Sequence, residues 1–585
     1  MTNLSKWLVN VLMMTTMVLF LAACGGGSGG GSSYTPPAAP AAPADADDDG
    51  VADDDDSCAD TPAGEEVDSE GCSATQADGD GDGVVDASDN CPADANADQA
   101  DSDANGSGDA CDAMPLVYSA KGYIEEGTDD GVSYTGQTAR QVLQLRLVAA
   151  MEALTERSGE TATIESELKF FINGDGADTT NHGFTVKNGA VDGSDVIPGP
   201  TYGDISTGKN LDGKIAGGNG EGGGETGKLI NDEFFGWSTG LDDTPLPIGL
   251  ANYFIEKIAA EAGDGIEPTI ATVDDAAVPI GTPQIDSNGL HYRQLLQKFL
   301  SVAVNFSQGT NDYMMADFAN MLGEEKPGKG YSAGAHDFDE AFGYYGAARN
   351  INDYTDDEAA AKGGRDEFGN GYNDANGDGL IDIRSEYVFG HAQNCAKRDR
   401  KKDANDEPYY DFSKTAMDSF LVGRRILENA EQAGELTTAA SDALQAQIQI
   451  ASLTWEKCIA ATVVHYINDV RGDMDSFSDG KFADLSNFTN LAKHWGEMKG
   501  FALGLQFSPK SPFRDGSVDG IDLDSLKSVL SLMGDAPVLA DGSQGGVAPT
   551  GTAQEAIDAY AADLLSARDT LEKAYGFNAE VTAVW

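Results

Sequence analysis

The sequence predicts a mainly α domain preceded by a short acidic segment that has almost no apolar core. Two observations favour the helical domain: several stretches after residue 114 carry apolar side chains at helical spacing, and no strong alternating strand pattern interrupts them. A third observation sets the N-terminal part aside, because residues 45–112 hold 24 Asp and Glu but no Lys or Arg. Such a block repels itself into disorder unless cations neutralise it.

Helices are predicted wherever apolar residues recur every three or four positions. In residues 137–157 this apolar stripe consists of Val142, Leu143, Leu145, Val148, Ala149 and Leu154. The same pattern predicts further helices at residues 247–262, 290–322, 413–433, 437–469, 485–507, 524–533 and 552–575. Residues 158–240 are Gly-rich and weakly periodic, which predicts loops with a few short strands.

The first residues have the pattern of an export signal. Lys6 is followed by an apolar stretch, residues 7–21, that is too short to span a bilayer comfortably. It ends in Leu21-Ala22-Ala23-Cys24, which resembles the lipobox of bacterial lipoproteins. The resemblance implies a signal peptide over residues 1–23, acylation of Cys24 and, with Gly at position 25, an outer-membrane anchor. The alternative is a plain signal peptide with an incidental Cys. A Gly/Ser tether and a Pro/Ala spacer follow up to residue 44.

The net charge of −61 argues against nucleic acid as a partner, because phosphate recognition needs clustered Lys and Arg. It favours cations as ligands. An exported protein meets an oxidising compartment, so an even number of cysteines in a core-poor segment predicts disulfides. Sequential pairing would join Cys58 to Cys72 and Cys91 to Cys111, whereas the pairing of Cys395 with Cys458 stays open.

Within the acidic segment, carboxylates recur at alternate positions around Gly residues. Calcium takes about six to eight hard oxygens in flexible geometry, and this spacing wraps side-chain and carbonyl oxygens around one ion. The alternative, a solvated acidic linker, explains the charge but neither the Gly positions nor the cysteines. The predicted calcium ligands are Asp45, Asp47, Asp49 and Asp53; Asp78, Asp80, Asp82 and Asp86; and Asp101, Asp103, Asn105 and Asp109.

These residues resemble thrombospondin type 3 repeats over residues 45–112. The resemblance is clearest in Asp89-Asn90-Cys91-Pro92 and in Gly108-Asp109-Ala110-Cys111-Asp112. It implies calcium-dependent folding without an apolar core. Repeats of this family are usually spacers, so they say little about the attached domain.

A further calcium loop is predicted at residues 374–386. Asp374, Asn376, Asp378 and Asp382 have the spacing of an EF-hand-type loop. Ser385 stands at the twelfth position, where such loops carry a bidentate Glu, and Glu386 follows one place later. The alternative is an Asx-rich turn.

Two His/Glu pairs are the candidate metal ligands of the helical domain. His336 and Glu340 lie four residues apart on one helix face, with a plain polar surface pair as the alternative. His494 falls inside the apolar arc of its helix and Glu497 at the edge of that arc. Glu and His three apart on inward faces recur as metal ligands in helical bundles. The alternative for His494 is a core His that hydrogen-bonds a neighbouring helix.

Gly334-Ala335-His336 with a nearby Glu looks like the GxHxxE motif of imelysin-like proteins, exported all-α bacterial proteins linked to iron uptake; here Glu340 is one residue late. Residues 117–585 also resemble an uncharacterised lipoprotein domain family in the stretches 134–140, 339–344 and 494–501. The imelysin likeness implies, for residues 113–585, a helical-bundle domain with long irregular loops. It implies two pseudo-repeated halves, each with one His/Glu helix, and a transition metal such as iron or zinc as ligand.

The function expected from these patterns is that of an outer-membrane lipoprotein, facing the periplasm or the cell surface. It binds calcium through its acidic repeats and captures a metal ion or metal complex, with iron as a candidate, in its helical domain. The alternative is a structural or adhesive surface protein with calcium as its only ligand. No HExxH, GxSxG or local Cys–His pattern occurs, so a metallopeptidase-like enzyme is the minor alternative. The membrane contact is expected through the lipid anchor only.

Overall fold

The computed structural model describes residues 44–67, 69–73, 75–120, 131–157, 159–173, 196–197, 202–206, 208–218, 228–241, 245–323, 329–403 and 405–585. Cys24, the signal peptide and most of the tether lie outside these residues. About 49% of the protein is helical and strands are few, which confirms the mainly α class. The chain forms two compact units. The first holds the described residues up to Asp78 together with Val85–Ala87, and the second holds Gly79–Val84 and Ser88–Trp585.

In the described residues every helix belongs to the second unit. The helices are α1 Thr135–Glu152, α2 Thr161–Asn173, α3 Tyr202–Ile205, α4 Pro247–Gly263, α5 Tyr292–Leu300, α6 Ser307–Asn311, α7 Phe318–Met321, α8 Ala333–Tyr345, α9 Asp356–Ala359, α10 Gly390–Asp399, α11 Phe412–Ala433, α12 Thr438–Met474, α13 Leu485–Ala502, α14 Pro512–Asp515, α15 Leu523–Met533, α16 Ala553–Tyr575 and α17 Ala579–Thr582. A π-helical segment, Ser301–Phe306, joins α5 to α6.

The described strands are only two residues long and form two small pairs. Strand β1, Val196–Ile197, pairs in parallel with β4, Ile381–Asp382, and β2, Thr269–Ile270, pairs antiparallel with β3, Val278–Pro279. Both pairs belong to loops between helices, so they organise connections and contribute little to the core.

The long helices begin and end where the sequence supplies capping residues. Thr437 accepts a hydrogen bond from Ala440 N and starts α12. Thr552 and Glu555 form a reciprocal capping box that starts α16, and Gly576 ends this helix in the left-handed region with φ 66°. These local signals explain why the predicted boundaries at residues 437 and 552 lie within one residue of the observed helix starts.

The core of the second unit is built around α12, which packs against α11 and α13. Trp455 on α12 is fully buried, and its ring meets Tyr345 edge-on at a centroid distance of 5.3 Å and Phe306 at 5.5 Å. A Cβ at Gly309 would lie 2.6 Å from this indole ring, so the absence of a side chain there allows the close approach. Cys395 on α10 and Cys458 on α12 form a buried disulfide, which answers the question that the sequence left open.

Two predicted segments differ from the structure. Residues 158–240, expected as loops and strands, contain α2, whose charged residues obscured a helical stripe that buries Ile164, Leu168 and Ile172. Residues 290–322, expected as one helix, are broken into α5, the π-helical segment, α6 and α7. The change to π-helix is supported by the fully buried His391, whose Nε2 lies 2.8 Å from the carbonyl oxygen of Ser301.

The first unit is held together without an apolar core. None of its described hydrophobic side chains is buried, whereas Thr61 and Ser73 are. The Thr61 hydroxyl lies 2.9 Å from the Gly71 carbonyl oxygen, and the backbone N–H of Thr61 donates to Asp47 at 2.7 Å. The predicted disulfide Cys58–Cys72 is confirmed in this unit, and Cys91–Cys111 is confirmed in the second.

No helix in the part of the chain that the structure describes is both long and apolar enough to cross a membrane.

Candidate metal sites

The first predicted repeat brings its alternate carboxylates together. One oxygen from each of Asp45, Asp47 and Asp49 lies within 4.8 Å of the others. Asp45 Oδ1 and Asp49 Oδ2 are buried and have no hydrogen-bond partner in the described residues. The second oxygen of each accepts a backbone N–H instead, from Gly50 at 3.2 Å and from Val51 at 2.8 Å. The loop therefore holds the carboxylates in place through its backbone and leaves two oxygens for another ligand.

Asp53, the fourth predicted ligand of this repeat, has a different position. Its Oδ1 accepts the backbone N–H of Ala46 at 2.7 Å, and its own N–H donates to the Ala44 carbonyl oxygen at 2.8 Å. It closes the loop at its end and is absent from the three-carboxylate group.

The second repeat is divided between the two units. Asp78 and Asp86 belong to the first unit, where the Asp86 N–H donates to the Ala77 carbonyl oxygen at 2.8 Å. Asp80 and Asp82 belong to the second, where Asp82 accepts the N–H groups of Val84 at 2.8 Å and of Asn96 at 2.7 Å. The bonds from Asp86 N–H and Val84 N–H repeat those from Asp53 N–H and Val51 N–H in the first repeat, whereas the bond from Asn96 to Asp82 has no counterpart at Asp49.

The third repeat contacts helix α11 within the second unit. Asp103 is buried, and its Oδ2 accepts a hydrogen bond from Asn429 Nδ2 at 3.0 Å and lies 3.4 Å from Arg425 Nε. Burial raises the pKa of Asp103, partly offset by its hydrogen bonds and by Arg425. Asp103 is therefore engaged by protein groups that a cation would have to share.

The other predicted ligands of this repeat bind their own loop. Asp101 accepts the N–H of Gly106 at 2.9 Å, Asn105 that of Ser107 at 2.7 Å, and Asp109 that of Ser102 at 2.8 Å. The bond between Ser107 and Asn105 is an Asx turn, and the other two bonds span the loop and close it.

The loop at residues 374–386 is closed by Glu386. This side chain is buried, and its two oxygens accept the backbone N–H of Ala375 at 3.0 Å and of Asp382 at 2.8 Å. Asp374 accepts the N–H of Gly379 at 2.8 Å, Asn376 that of Asp378 at 2.8 Å, and Asp378 that of Leu380 at 2.9 Å. Asp382 forms an ion pair with Arg384 at 2.8 Å. Glu386, one place later than the EF-hand pattern requires, is thus the central side chain of the loop.

His336 and Glu340 face each other on α8. His336 Nε2 lies 3.7 Å from Glu340 Oε1, and the imidazole stacks on Tyr331 at a centroid distance of 4.8 Å. Both side chains are partly buried, each with 19% of its area exposed. The predicted pairing is present, but no third His, Cys, Asp or Glu of the described residues completes a group of three with it.

His494 on α13 is held by carboxylates of the neighbouring helix α12. Its Nδ1 lies 2.7 Å from Asp473 Oδ2, and its Nε2 lies 3.8 Å from Asp469 Oδ2. His465, also on α12, places its Nε2 3.3 Å from the same oxygen of Asp469. Asp473, Asp469 and His465 were not identified from the sequence, because the helix pattern shows spacing along one helix and not its neighbours.

Glu497 has a counter-ion of its own. It is buried, and its Oε1 lies 3.2 Å from Nζ of Lys298 on α5. Burial alone would raise the pKa of Glu497, but Lys298 and Lys493 outweigh burial and lower it. The four predicted ligands therefore do not converge. His336 faces Glu340, whereas His494 and Glu497 have separate partners on other helices. None of the four enters a group of three ligand residues in the described chain.

The chain was compared with models of known protein families, with curated proteins and with solved structures, and no match was found. The chemistry of these sites therefore follows from their geometry.

Proposed function

We propose that this protein is an exported lipoprotein, anchored to the outer membrane through Cys24, whose acidic repeats bind calcium and act as a spacer before the helical domain. The lipobox-like residues before Cys24 and the Gly/Ser and Pro/Ala stretch after it support the anchor. The likeness of residues 45–112 to thrombospondin type 3 repeats supports the spacer role. The confirmed disulfides support export to an oxidising compartment.

The observation that carries calcium binding is the geometry of Asp45, Asp47 and Asp49. Three carboxylates within 4.8 Å of one another repel, and two of their buried oxygens lack a hydrogen-bond partner in the described residues. A calcium ion would satisfy these oxygens and neutralise the repulsion, and the backbone N–H bonds already hold the carboxylates in position.

The test is hydrogen exchange of the full chain, with calcium and with a chelator, for wild type and two variants. Asp49→Asn removes one charge from the three-carboxylate group, and we expect at least about tenfold weaker calcium-dependent protection of residues 44–78. Asp55→Asn is the matched control, because Asp55 is exposed in the same unit and outside the group. Equal calcium responses in the two variants would remove the basis of the proposal.

A second candidate function is capture of a transition metal by the helical domain. It is favoured by Asp469 Oδ2, which lies between His465 Nε2 at 3.3 Å and His494 Nε2 at 3.8 Å. Two imidazoles and a carboxylate are a ligand set that iron and zinc accept. We therefore propose His465, Asp469 and His494 as the capture group; their ligand atoms do not all lie within 4.8 Å of one another, so metal binding requires the side chains to move together. Glu497 is paired with Lys298 and lies outside this group. His336 and Glu340 form a separate, weaker candidate.

Metal content, measured by mass spectrometry on the full chain purified without added metal, tests this second function. A stoichiometric transition metal that is lost in His494→Ala and in His465→Ala, but kept in His336→Ala, would support capture at the proposed group. Loss of the metal in His336→Ala alone would place the binding site at His336 and Glu340 instead. Calcium as the only bound metal would leave a structural or adhesive surface protein as the better description.

A further inference from the structure

The imidazole ring of His494 on α13 is held by a carboxylate of the neighbouring helix α12. Its Nδ1 lies 2.7 Å from Oδ2 of Asp473, a hydrogen bond between partly buried side chains. Because an ionised carboxylate can only accept a hydrogen bond, Nδ1 carries the proton. Nε2 is then the nitrogen with the lone pair, and it lies 3.8 Å from Oδ2 of Asp469, too far for a hydrogen bond. This nitrogen is therefore the one that can bind a metal ion.

The position of Asp473 is in turn fixed by the packing of α12 against α13. Asp473 lies in the last turn of α12, and its carbonyl oxygen accepts a hydrogen bond from Nδ2 of the buried Asn487 at 2.8 Å. The ring of Tyr466, also on α12, stacks on the His494 ring at a centroid distance of 6.1 Å, with 25° between the planes. Asp473 and His494 expose only 14% and 18% of their side chains. Protein contacts therefore set the direction of Nε2 without the help of an ion.

His465 and Asp469, both on α12, form the more exposed side of the same group. They lie one helical turn apart and expose 27% and 33% of their side chains. His465 Nε2 is 3.3 Å from Asp469 Oδ2, which matches the roughly 3.3 Å between two ligand atoms of a tetrahedral ion with bonds of about 2.0–2.1 Å. The 3.8 Å from Asp469 Oδ2 to His494 Nε2 is longer than this spacing. A metal ion would therefore bring the more exposed pair towards the fixed imidazole.

We propose that Asp473 is a positioning residue for a transition-metal ion, because it holds the imidazole of His494 with Nε2 directed at the ion. His465 and Asp469 then close on the ion from the more exposed side. This inference rests on the second function proposed above, capture of a metal by His465, Asp469 and His494. Histidine ligands of metal ions almost always donate their other N–H to a carboxylate, a backbone carbonyl or water, and this partner fixes the tautomer and raises the basicity of the binding nitrogen. Asp473 is that partner for His494 and does not touch the ion.

The ligand set selects the chemical class of the ion. Two imidazoles and one carboxylate suit zinc or iron(II), whereas calcium prefers sites made only of oxygens. Three protein ligands leave one position of a tetrahedral ion free for water or for a group that the metal carries. The site can therefore accept a metal ion alone or a metal complex with an exchangeable ligand.

The first test measures the zinc affinity of the full chain by competition with a chromophoric chelator, with excess calcium present to fill the oxygen sites. Asp473→Asn removes the charge, although the amide oxygen can still accept the hydrogen bond from Nδ1, and we expect about tenfold weaker zinc binding. Asp473→Ala removes this bond as well, and the loss should approach about a hundredfold. Asp475→Asn is the matched control: Asp475 is the exposed C-cap of the same helix, so the same charge is lost and the affinity should not change.

The second test observes the His494 ring in the metal-free protein. Nitrogen NMR of the full chain labelled at histidine reports the tautomer, and the His494 signal is the one that is absent in His494→Ala. At a pH where the imidazole is neutral, we expect the proton on Nδ1 in the wild type. In Asp473→Ala the proton should move to Nε2, the nitrogen that carries it in free histidine, and so block the lone pair that binds the ion.

The outcomes separate this inference from the capture function. Zinc affinities of Asp473→Asn and Asp473→Ala equal to that of Asp475→Asn would overturn the positioning role and leave capture intact. A wild-type His494 with its proton on Nε2 would overturn the positioning role as well. If the wild type binds no zinc in excess calcium, capture itself fails, and the contact between Asp473 and His494 only joins two helices.

Discussion

The two compact units of this chain are stabilised by different interactions. In the described residues of the first unit no hydrophobic side chain is buried, and order comes from a disulfide and from hydrogen bonds to carboxylates. The helical region of the second unit buries large side chains such as Trp455, Trp495 and Phe342. A segment too small to form a core depends on cross-links and cations, whereas the helical region can rely on apolar burial.

The largest loss of stability is expected from a substitution of Trp455 in the helical region. Replacing it with Ala leaves a cavity beside Tyr345 and Phe306 and should lower the free energy of unfolding of the helical region by about 3–5 kcal/mol. Urea unfolding followed by circular dichroism measures this effect. The control is Val547→Ala, since Val547 is 71% exposed, and a similar loss in both variants would mean that the core is not centred on α12.

A smaller effect is expected from the disulfide of the first unit. Cys58→Ser combined with Cys72→Ser opens a loop with a sequence separation of 14 and should cost this unit about 3 kcal/mol. Hydrogen exchange of residues 44–78 should rise sharply while α12 and α13 stay unchanged. Unchanged exchange in the first unit would show that its hydrogen bonds suffice without the cross-link.

The pH dependence of the helical core gives an effect of intermediate size. Glu456 is fully buried, and burial raises its pKa to about 7, although the hydrogen bonds that Ser511 and Tyr575 donate to it lower the pKa. The pKa of Glu456 in the folded protein lies above its unfolded value. The contribution of protonated Glu456 to the free energy of unfolding is therefore fully present below about pH 4.5 and is lost as the pH rises through 7.

Glu456→Gln mimics the protonated side chain. We expect it to match the wild type at pH 4 and to be more stable by about 3 kcal/mol at pH 8. Thermal unfolding across this pH range is the measurement. A difference between the two proteins that does not change with pH would contradict a buried, titrating Glu456.

The smallest effect is expected where the third repeat contacts α11. Arg425→Gln removes the cation near Asp103 and Asp112 and should destabilise this repeat by about 1 kcal/mol, because Asn429 still donates to the buried Asp103. Faster hydrogen exchange confined to residues 88–112 would confirm this contact. Exchange identical to that of the wild type would mean that the repeat does not need the helix.

The sequence predicts features that depend on local interactions and misses those that depend on contacts between distant parts of the chain. The helix at residues 552–575 and the pairing Cys58–Cys72 follow from signals carried by neighbouring residues, and both are confirmed. The Asp473 partner of His494 and the counter-ion of Glu497 come from other helices, so spacing along one helix could not identify them.

The group formed by Asp356, Asp399 and Asp411, with one carboxylate oxygen of each within 4.8 Å of the others, is the clearest case of an arrangement without a sequence signal. Asp356, Asp399 and Asp411 lie in no common motif, and each has an ordinary local role at a helix end. The broken helix at residues 290–322 has the same origin, since its π-helical segment is paired with His391, far along the chain. In both cases the tertiary fold decides what the local pattern leaves open.

The most direct test of calcium-dependent order in the first unit is hydrogen exchange of the whole chain before and after chelation of calcium. We expect that amides of residues 44–78 lose their protection and that the centres of α12 and α13 exchange as slowly as before. Unchanged protection of residues 44–78 would contradict the claim that calcium replaces a core there, and loss of protection throughout α12 would contradict the independence of the helical core.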